Sequence, residues 1–192
     1  MHQCVDQSDW PQLLKFMEKL RKQSSSVVSQ ELTKTEPTAR ATVIHRIIAK
    51  APLTLTKLLI SIVPFDDRYD ILMLPDKHGN TPLHIACATL QIQSKTNSID
   101  ETIIKTLSVG APEAHHAQNQ QGDIPLSLLL TAPAIQATTD PELLAVESQA
   151  EDLIRRILHE QQDLSSAQNK SGQTLLHMAT MHRVHERVSI LL

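Results

Sequence analysis

Apolar residues recur along this chain at the three-to-four-residue spacing of amphipathic helices, not in the strict alternation of half-buried strands. The clearest stripe predicts a helix over residues 53–63, bounded by two prolines, with one face formed by Leu55, Leu58, Leu59 and Ile62. Weaker stripes predict helices over residues 9–22, 98–110, 141–160 and 186–192. This pattern is typical of an all-α protein.

Local signals mark several of the predicted helix ends. Ser8 or Asp9 is expected to cap the first helix, because short polar side chains accept hydrogen bonds from free N–H groups there. Ser98 and Glu101 have the spacing of a capping box. Gly110 is expected to end the helix before it as a C-terminal cap.

Two stretches lack a clear apolar stripe and are predicted to connect helices. Residues 23–38 form a polar connection with at most one short turn around residues 28–32. The residues between Pro64 and Asp76 are interpreted as a linker.

A turn followed by a helix start is predicted in residues 76–90, which read DKHGNTPLHIACATL. Gly79 suits the turn, because glycine adopts left-handed backbone angles without steric cost. Thr81 is a good N-cap, and Pro82 follows at the first helical position, where a missing N–H does no harm. Leu83 opens a small apolar stripe that continues through Ala86 and Cys87.

Less regular copies of this stretch occur three more times. The equivalent positions are spaced 39, 43 and 50 residues apart and are occupied by Thr42, Thr81, Ile124 and Thr174. Three of the four glycines stand two residues before such a position: Gly79, Gly122 and Gly172. Four units that each begin with a turn are therefore predicted.

The copies differ in how much of the pattern they keep. In the first, Arg40 stands where glycine is expected and Val43 replaces the proline. The third keeps Pro125 and Leu126, but Ile124 and Ser127 replace the threonine and the histidine, and Asp123 is a candidate for the missing cap. The fourth is in register throughout, with Gly172, Thr174, Leu176, His177 and Ala179.

The central copy resembles the ankyrin repeat, whose Thr-Pro-Leu-His-x-Ala pattern matches Thr81, Pro82, Leu83, His84 and Ala86 residue for residue. The resemblance implies one solenoid of stacked helix pairs over residues 1–192. The ideal repeat period of about 33 residues is exceeded in every unit, so insertions are expected. The predicted units are 1–35 (partial), 36–70 (degenerate), 76–112, 119–162 (degenerate, with a long second helix) and 169–192 (shortened).

The resemblance further implies a non-enzymatic module that binds another protein through its concave face, using the turn tips and the exposed side of the first helices. Carrying over the variable positions of the family gives the contact residues Lys77, His78, Asn80, Ala88, Thr89, Gln120, Gln121, Asp123, Lys170, Ser171, Gln173, Met181 and His182. The resemblance also implies that His45, His84 and His177 tie neighbouring turns together by hydrogen bonds.

Composition supports this interpretation. Hydrophobic residues make up 41% of the chain, yet only four residues are aromatic, which suits thin layers of helices filled with aliphatic side chains. The formal net charge of −3, without a dense basic run, argues against a nucleic-acid partner. Two cysteines, no signal peptide and no membrane-length apolar run predict an intracellular, cytoplasmic protein without membrane insertion.

The sequence contains no recognisable catalytic set and implies no cofactor. It lacks the G-x-S-x-G motif of a hydrolase and the glycine-rich loop of a phosphate site. Two alternatives to the interaction module remain open. One is a regulatory ankyrin segment of a larger enzyme or channel. The other is a metal-binding protein that uses His182 and His185, although their spacing is not that of the H-E-x-x-H motif.

The last residues of the chain are aliphatic. At helical spacing, Val188, Leu191 and Leu192 are expected to face the preceding helices, whereas Ile190 is expected to point elsewhere. A terminal repeat needs a polar outer face. We therefore expect either that the sequence is cut from a longer ankyrin protein or that this end self-associates.

Overall fold

The computed structural model of the chain describes residues 1–89, 101–131, 141–181 and 185–191. These segments are mostly helical and contain no strand; their only β-type pairings are isolated bridges between Thr35 and Thr42 and between Gln168 and Thr174. The all-α class predicted from the hydrophobic pattern is confirmed.

The described residues form twelve α-helices and two short 3-10 segments. The 3-10 segments are Pro112–His115 and Gln162–Ser166. The helices are α1 (His2–Asp6), α2 (Trp10–Leu20), α3 (Ser25–Thr33), α4 (Val43–Lys50), α5 (Leu53–Ile62), α6 (Arg68–Met73), α7 (Pro82–Thr89), α8 (Glu101–Gly110), α9 (Pro125–Thr131), α10 (Pro141–Glu160), α11 (Leu175–Met181) and α12 (His185–Leu191).

Helices that follow one another in the sequence pack in pairs. The contacting pairs are α1 with α2, α4 with α5, α7 with α8, α9 with α10, and α11 with α12. Across the pairs, α4 contacts α7, α7 contacts α9, and α9 contacts α11. On the other side of the pairs, α2 contacts α5, α5 contacts α8, and α10 contacts α12. Helices α7 and α9 are thus each packed between the preceding and the following helix of the series α4, α7, α9 and α11.

The core between these helices is aliphatic, as the composition predicts. Its fully buried large side chains are leucines, isoleucines and one methionine. No aromatic residue is fully buried: 84% of Phe65 and 45% of Tyr69 is exposed, Phe16 is half-buried, and Trp10 is half-buried against the core.

Helix ends defined by strong local signals lie where the sequence places them. Asp9 caps α2 by accepting a hydrogen bond from the Gln12 N–H at 3.0 Å. Helix α5 ends before Pro64, and its predicted apolar face is buried except for Leu58, which is half-buried. The long helix predicted over 141–160 is present as α10. The Ser98 capping box lies outside the described residues.

The connection predicted over residues 23–38 is wrong, because most of it is helix α3. Val28 and Leu32, one turn apart, are both buried in the core. The remaining positions of the helix are mostly serine, glutamine and threonine, so the stripe is too narrow to recognise without its packing partners. Helix α1, which precedes the first predicted helix, was missed for the same reason.

The linker predicted between Pro64 and Asp76 contains a further helix, α6. Ile71 and Leu72 of this helix are buried, and α6 packs against α3, α7 and α8. A helix of six residues has little intrinsic stability. Its contacts with three neighbouring helices therefore determine that it forms.

Gly110 ends α8, but it is not the left-handed cap that the sequence suggests. The glycines of the described residues with positive φ are Gly79, Gly122 and Gly172. A Cβ atom at position 110 would lie 2.7 Å from side-chain carbons of both Arg68 and Leu72. Any larger residue at this position would require these two flexible side chains of α6 to shift.

The prediction that Ile190 points away from the other helices is also wrong. Ile190 and Leu191 are both half-buried and pack against the core. Leu192 lies outside the described residues. Separately, none of the described helices is both long and apolar enough to span a membrane.

A candidate interaction surface formed by four turns

The turn before α7 is closed by its own backbone and by one carboxylate. The Asp76 N–H donates to the Asn80 carbonyl at 2.9 Å, and the Gly79 N–H donates to the Asp76 carbonyl at 3.0 Å. Oδ1 of Asp76 accepts hydrogen bonds from the N–H groups of His78 and Asn80, at 2.8 and 2.9 Å. Gly79 has φ of +80°, as a tight turn requires.

The turns before α9 and α11 repeat this geometry. Oδ1 of Asn119 accepts from the N–H groups two and four residues later, at 2.9 and 3.0 Å. Oδ1 of Asn169 accepts from the N–H groups of Ser171 and Gln173, both at 3.0 Å. Gly122 and Gly172 have φ of +81° and +73°. Sequence reasoning identified the glycines and missed the acceptors, although an Asp or Asn three residues before each glycine is the signal of such a turn.

The first turn reaches a similar shape with different residues. Arg40 has φ of +50°, so it adopts the left-handed conformation that the missing glycine would have provided. The carboxylate of Glu36 accepts hydrogen bonds from the N–H groups of Thr38 and Ala39 at 3.0 and 2.6 Å. These bonds hold the pKa of the Glu36 carboxyl below its usual value.

Backbone hydrogen bonds join each turn to the next. The Lys77 N–H donates to the Ala39 carbonyl at 2.8 Å, and the Gln120 N–H donates to the His78 carbonyl at 2.8 Å. The Lys170 N–H donates to the Gln121 carbonyl at 3.0 Å. The four turns therefore form one continuous stack.

Two buried histidines add a second set of links. Nδ1 of His84 accepts a hydrogen bond from the Thr81 N–H at 3.1 Å, and Nε2 lies 3.0 Å from the carbonyl of Asp123 in the next turn. Because Nδ1 accepts from an N–H group, the ring proton is on Nε2, which donates to that carbonyl. His45 repeats the arrangement with Thr42 and the Asn80 carbonyl, at 3.2 and 2.9 Å.

Both histidines are neutral near pH 7. Burial lowers the pKa of His45 and His84, although the carbonyl that each of them contacts acts in the opposite direction. The prediction that these two histidines tie neighbouring turns together is confirmed. Nδ1 of His177 lies 2.7 Å from Oγ1 of Thr174 in the same way. However, His177 is exposed and makes no hydrogen bond to another turn among the described residues.

Asn80 and Asp123, two predicted contact residues, hold turns together instead of standing free. Oδ1 of Asn80 accepts from Nδ2 of Asn119 at 3.0 Å, and Oδ1 of Asp123 accepts from Nδ2 of Asn169 at 3.2 Å. Both side chains are half-buried. The suggestion that Asp123 caps the following helix is not supported, because its carboxylate faces the next turn.

The other predicted contact residues separate into two groups. Ala88, Thr89 and Gln173 are half-buried, and Thr89 donates a hydrogen bond to the Ile85 carbonyl of its own helix at 2.8 Å. His182 lies outside the described residues. The exposed residues are Lys77, His78, Gln120, Gln121, Lys170, Ser171 and Met181.

The exposed charges of the four turns all have the same sign. Arg40, Lys77 and Lys170 are exposed on the first, second and fourth turns. The carboxylates of these turns, at positions 36, 76 and 123, are half-buried and accept hydrogen bonds. The edge of the stack therefore presents cations and amides to the solvent.

Two observations concern groups that could bind a metal or act as a nucleophile in the described part of the chain. It contains no group of three or more His, Cys, Asp or Glu side chains placed to hold a metal ion. His182 and the side chain of His185 lie outside that part. Burial raises the pKa of the Cys87 thiol to about 12, so the reactive thiolate is not formed near neutral pH.

No family model matches the chain, and no curated protein matches it.

Proposed function

We propose that the chain is a divergent ankyrin-repeat solenoid and that its stack of four turns binds an acidic surface of another protein. The observation that carries this proposal is the continuous stack of turns, whose exposed charged side chains are all cations. Such a surface has no deep cavity for a substrate, but it is extended and fixed by hydrogen bonds.

The packing of the helices supports the solenoid. Successive helix pairs contact one another in chain order, so that α4, α7, α9 and α11 follow one another directly. Each of these four helices is preceded by one of the linked turns. Two of the four units also have a Thr-x-x-His pair that contacts the following turn. This combination is what the resemblance to ankyrin repeats implies.

The chemistry of the turn tips suggests the nature of the partner. Arg40, Lys77 and Lys170 supply three charges, and Gln120 and Gln121 between them supply amide donors and acceptors. The turns are already ordered, so binding a partner costs little conformational entropy. Complementary charge would mainly increase the rate of association and would be screened by salt.

Site-specific photo-crosslinking tests this proposal. A photoreactive amino acid is placed at His78 or Gln121 on the turns and, as a control, at Thr54, an exposed position of α5. We expect the two turn positions to crosslink to the same protein and the α5 position not to do so. Equal crosslinking from Thr54 would contradict a turn-specific surface.

Charge reversal then tests the role of the cations. The variant Arg40→Glu/Lys77→Glu/Lys170→Glu is compared with Lys15→Glu/Lys19→Glu/Lys22→Glu, which changes the net charge equally at exposed lysines near α2. Binding of the purified crosslinked partner should be lost only in the turn variant. It should also weaken in wild type as salt is raised. Similar losses in both variants would show that only net charge matters.

A further inference from the structure

The fourth turn differs from the other three in having no turn stacked on it within the described part of the chain. Each of the first three turns offers one carbonyl to an N–H group of the turn that follows, and these acceptors belong to Ala39, His78 and Gln121. The equivalent carbonyl of the fourth turn belongs to Ser171, which is exposed. It accepts no hydrogen bond from the described residues. One backbone acceptor is therefore open at this end of the stack.

The histidine of the fourth unit has the same local arrangement as His84. The Thr174 N–H donates to Nδ1 of His177 at 3.3 Å, so the proton of the neutral ring is on Nε2. Nε2 of His84 donates to the Asp123 carbonyl of the next turn. Nε2 of His177 is exposed and has no partner among the described residues. One donor is therefore open beside the open acceptor.

The glycines show that the same face also has room for a further turn. A Cβ atom at Gly79 would lie 2.9 Å from the Gln120 backbone nitrogen, and one at Gly122 would lie 2.5 Å from the Lys170 backbone nitrogen. These carbons point at the next turn of the stack. At Gly172, nothing lies within 4 Å of the equivalent carbon.

The junction between the second and third turns defines what would fit this face. The third turn contributes the Gln120 N–H, which donates to the second turn, and the Asp123 carbonyl, which accepts from His84. These two groups are three residues apart in a tight turn that contains a glycine at positive φ. A partner of the fourth turn must present an N–H and a carbonyl with the same spacing.

The four turns of a second copy of this chain do not present such a pair. The N–H groups of Lys77, Gln120 and Lys170 are already hydrogen-bonded within the stack. In the first turn, the residue after Glu36 is Pro37, which has no N–H to donate. The partner is therefore expected to be a different polypeptide.

We propose that the open face of the fourth turn binds a tight, glycine-containing turn of another protein. An N–H of that turn donates to the Ser171 carbonyl, and a carbonyl three residues later accepts from Nε2 of His177. Met181, one helical turn after His177 on α11, is 65% exposed and offers an apolar contact beside them. The proposal does not use the exposed cations of the turns, so either surface can fail its test without the other.

A cyclic peptide that contains Asn-Gln-Gln-Gly-Asp, the sequence of the third turn, tests this proposal. Ring closure orders the turn in advance and so reduces the entropy lost on binding. In a titration of the full chain followed by NMR, we expect saturable shifts of the Gly172 amide and of the His177 ring. Methylation of the peptide nitrogen equivalent to that of Gln120 removes the donor. It should weaken binding about tenfold, the effect of one lost hydrogen bond.

Two results of this titration would overturn the proposal. One is that the cyclic peptide does not bind at millimolar concentration. The other is that the methylated peptide binds as tightly as the unmodified one. Dilution of the chain without peptide tests the alternative occupant: concentration-dependent shifts of the same Gly172 and His177 resonances would assign the face to a second copy and would equally overturn the proposal.

Variants of the fourth turn locate the site. Gly172→Ala should abolish peptide binding, because its methyl group would occupy the place of the peptide backbone. His177→Ala should weaken binding about tenfold, and His177→Gln should restore part of it by returning an N–H donor. The control is His159→Ala, which removes an exposed histidine of α10 and should leave binding unchanged. Circular dichroism melts establish that each variant folds, and unchanged affinity in folded Gly172→Ala or His177→Ala would also contradict the proposal.

Discussion

The second and third turns have the same backbone hydrogen bonds, although only the second is followed by the threonine and histidine of the repeat pattern. In the second turn, Thr81 and His84 form a pair whose ring donates to the Asp123 carbonyl of the next turn. In the third, Ser127 donates to the Ile124 carbonyl at 2.5 Å, a bond within its own helix start. The turn itself is therefore independent of the histidine.

This difference separates two tasks that a repeat motif combines. An Asp or Asn acceptor and a glycine at positive φ form the turn. The histidine joins that turn to the one after it. Where the histidine is missing, other links remain, since Asn169 contacts Asp123 and the Gln118 side chain donates to the Gln168 carbonyl at 2.9 Å. Four predictions test this separation.

The largest effect is expected at the glycine of the third turn. In Gly122→Ala, the new methyl group would lie 2.5 Å from the Lys170 backbone nitrogen, at a position with φ of +81°. We expect a loss of at least about 3 kcal/mol in the free energy of unfolding, from backbone strain together with overpacking.

Gly172→Ala is the matched control for this substitution. Its φ is similar, at +73°, but nothing lies within 4 Å of the added carbon. Only the backbone cost of about 1 kcal/mol is expected there. Urea denaturation measures both values, and equal losses would show that the close approach of successive turns contributes nothing.

The second-largest loss of stability is expected on removing the linking histidine of the second unit, and the comparison is with the serine at the equivalent position of the third unit. His84→Ala leaves the Thr81 N–H without its acceptor and removes one of the two hydrogen bonds to the Asp123 carbonyl, and we expect a loss of about 2 kcal/mol or more. Ser127→Ala removes one local hydrogen bond and should cost below about 1 kcal/mol. A result in which the serine substitution costs as much as the histidine substitution would contradict the linking role.

Lowering the pH should weaken the same hydrogen-bonded links, with a smaller loss of stability than the His84→Ala substitution. The pKa values of His45 and His84 lie below their usual value of 6.5 in the folded chain, because burial disfavours the charged ring. The unfolded chain therefore takes up protons first as the pH falls. The stability contributed by these rings should be complete above about pH 6.5 and be lost as the pH falls through the lower folded values.

Thermal melts between pH 7.5 and 5.5 measure this dependence. Part of it should disappear in His84→Ala, since one of the two buried rings is then absent. If wild type and variant showed the same pH dependence, protonation of His84 would not be involved.

The smallest effect is expected at the exposed tips of the same turns. Lys77→Ala and Lys170→Ala should each change the free energy of unfolding by less than about 0.5 kcal/mol, because neither side chain is buried. The same substitutions should weaken partner binding if the proposed surface is correct. Denaturation and binding measured on the same samples separate the two effects, and a large loss of stability would show that the tips are structural.

The sequence alone determined the features that depend on neighbouring residues. Gly79, Gly122 and Gly172 stand at positive φ, Pro82 and Pro125 begin their helices, and Asp9 caps α2. Each of these depends on local backbone chemistry, which a short stretch of sequence shows completely. The all-α class follows from the same kind of local periodicity.

Only the tertiary structure decided the features whose partners are distant in the chain. Helices α3 and α6 form because other helices cover their few apolar residues, and Gly110 lies against side chains of α6. Asn80 and Asp123 are expected contact residues by position, yet they bind side chains of the next turn, 39 and 46 residues away. Hydrogen bonding and burial of this kind depend on which surfaces meet on folding, and no local pattern encodes that.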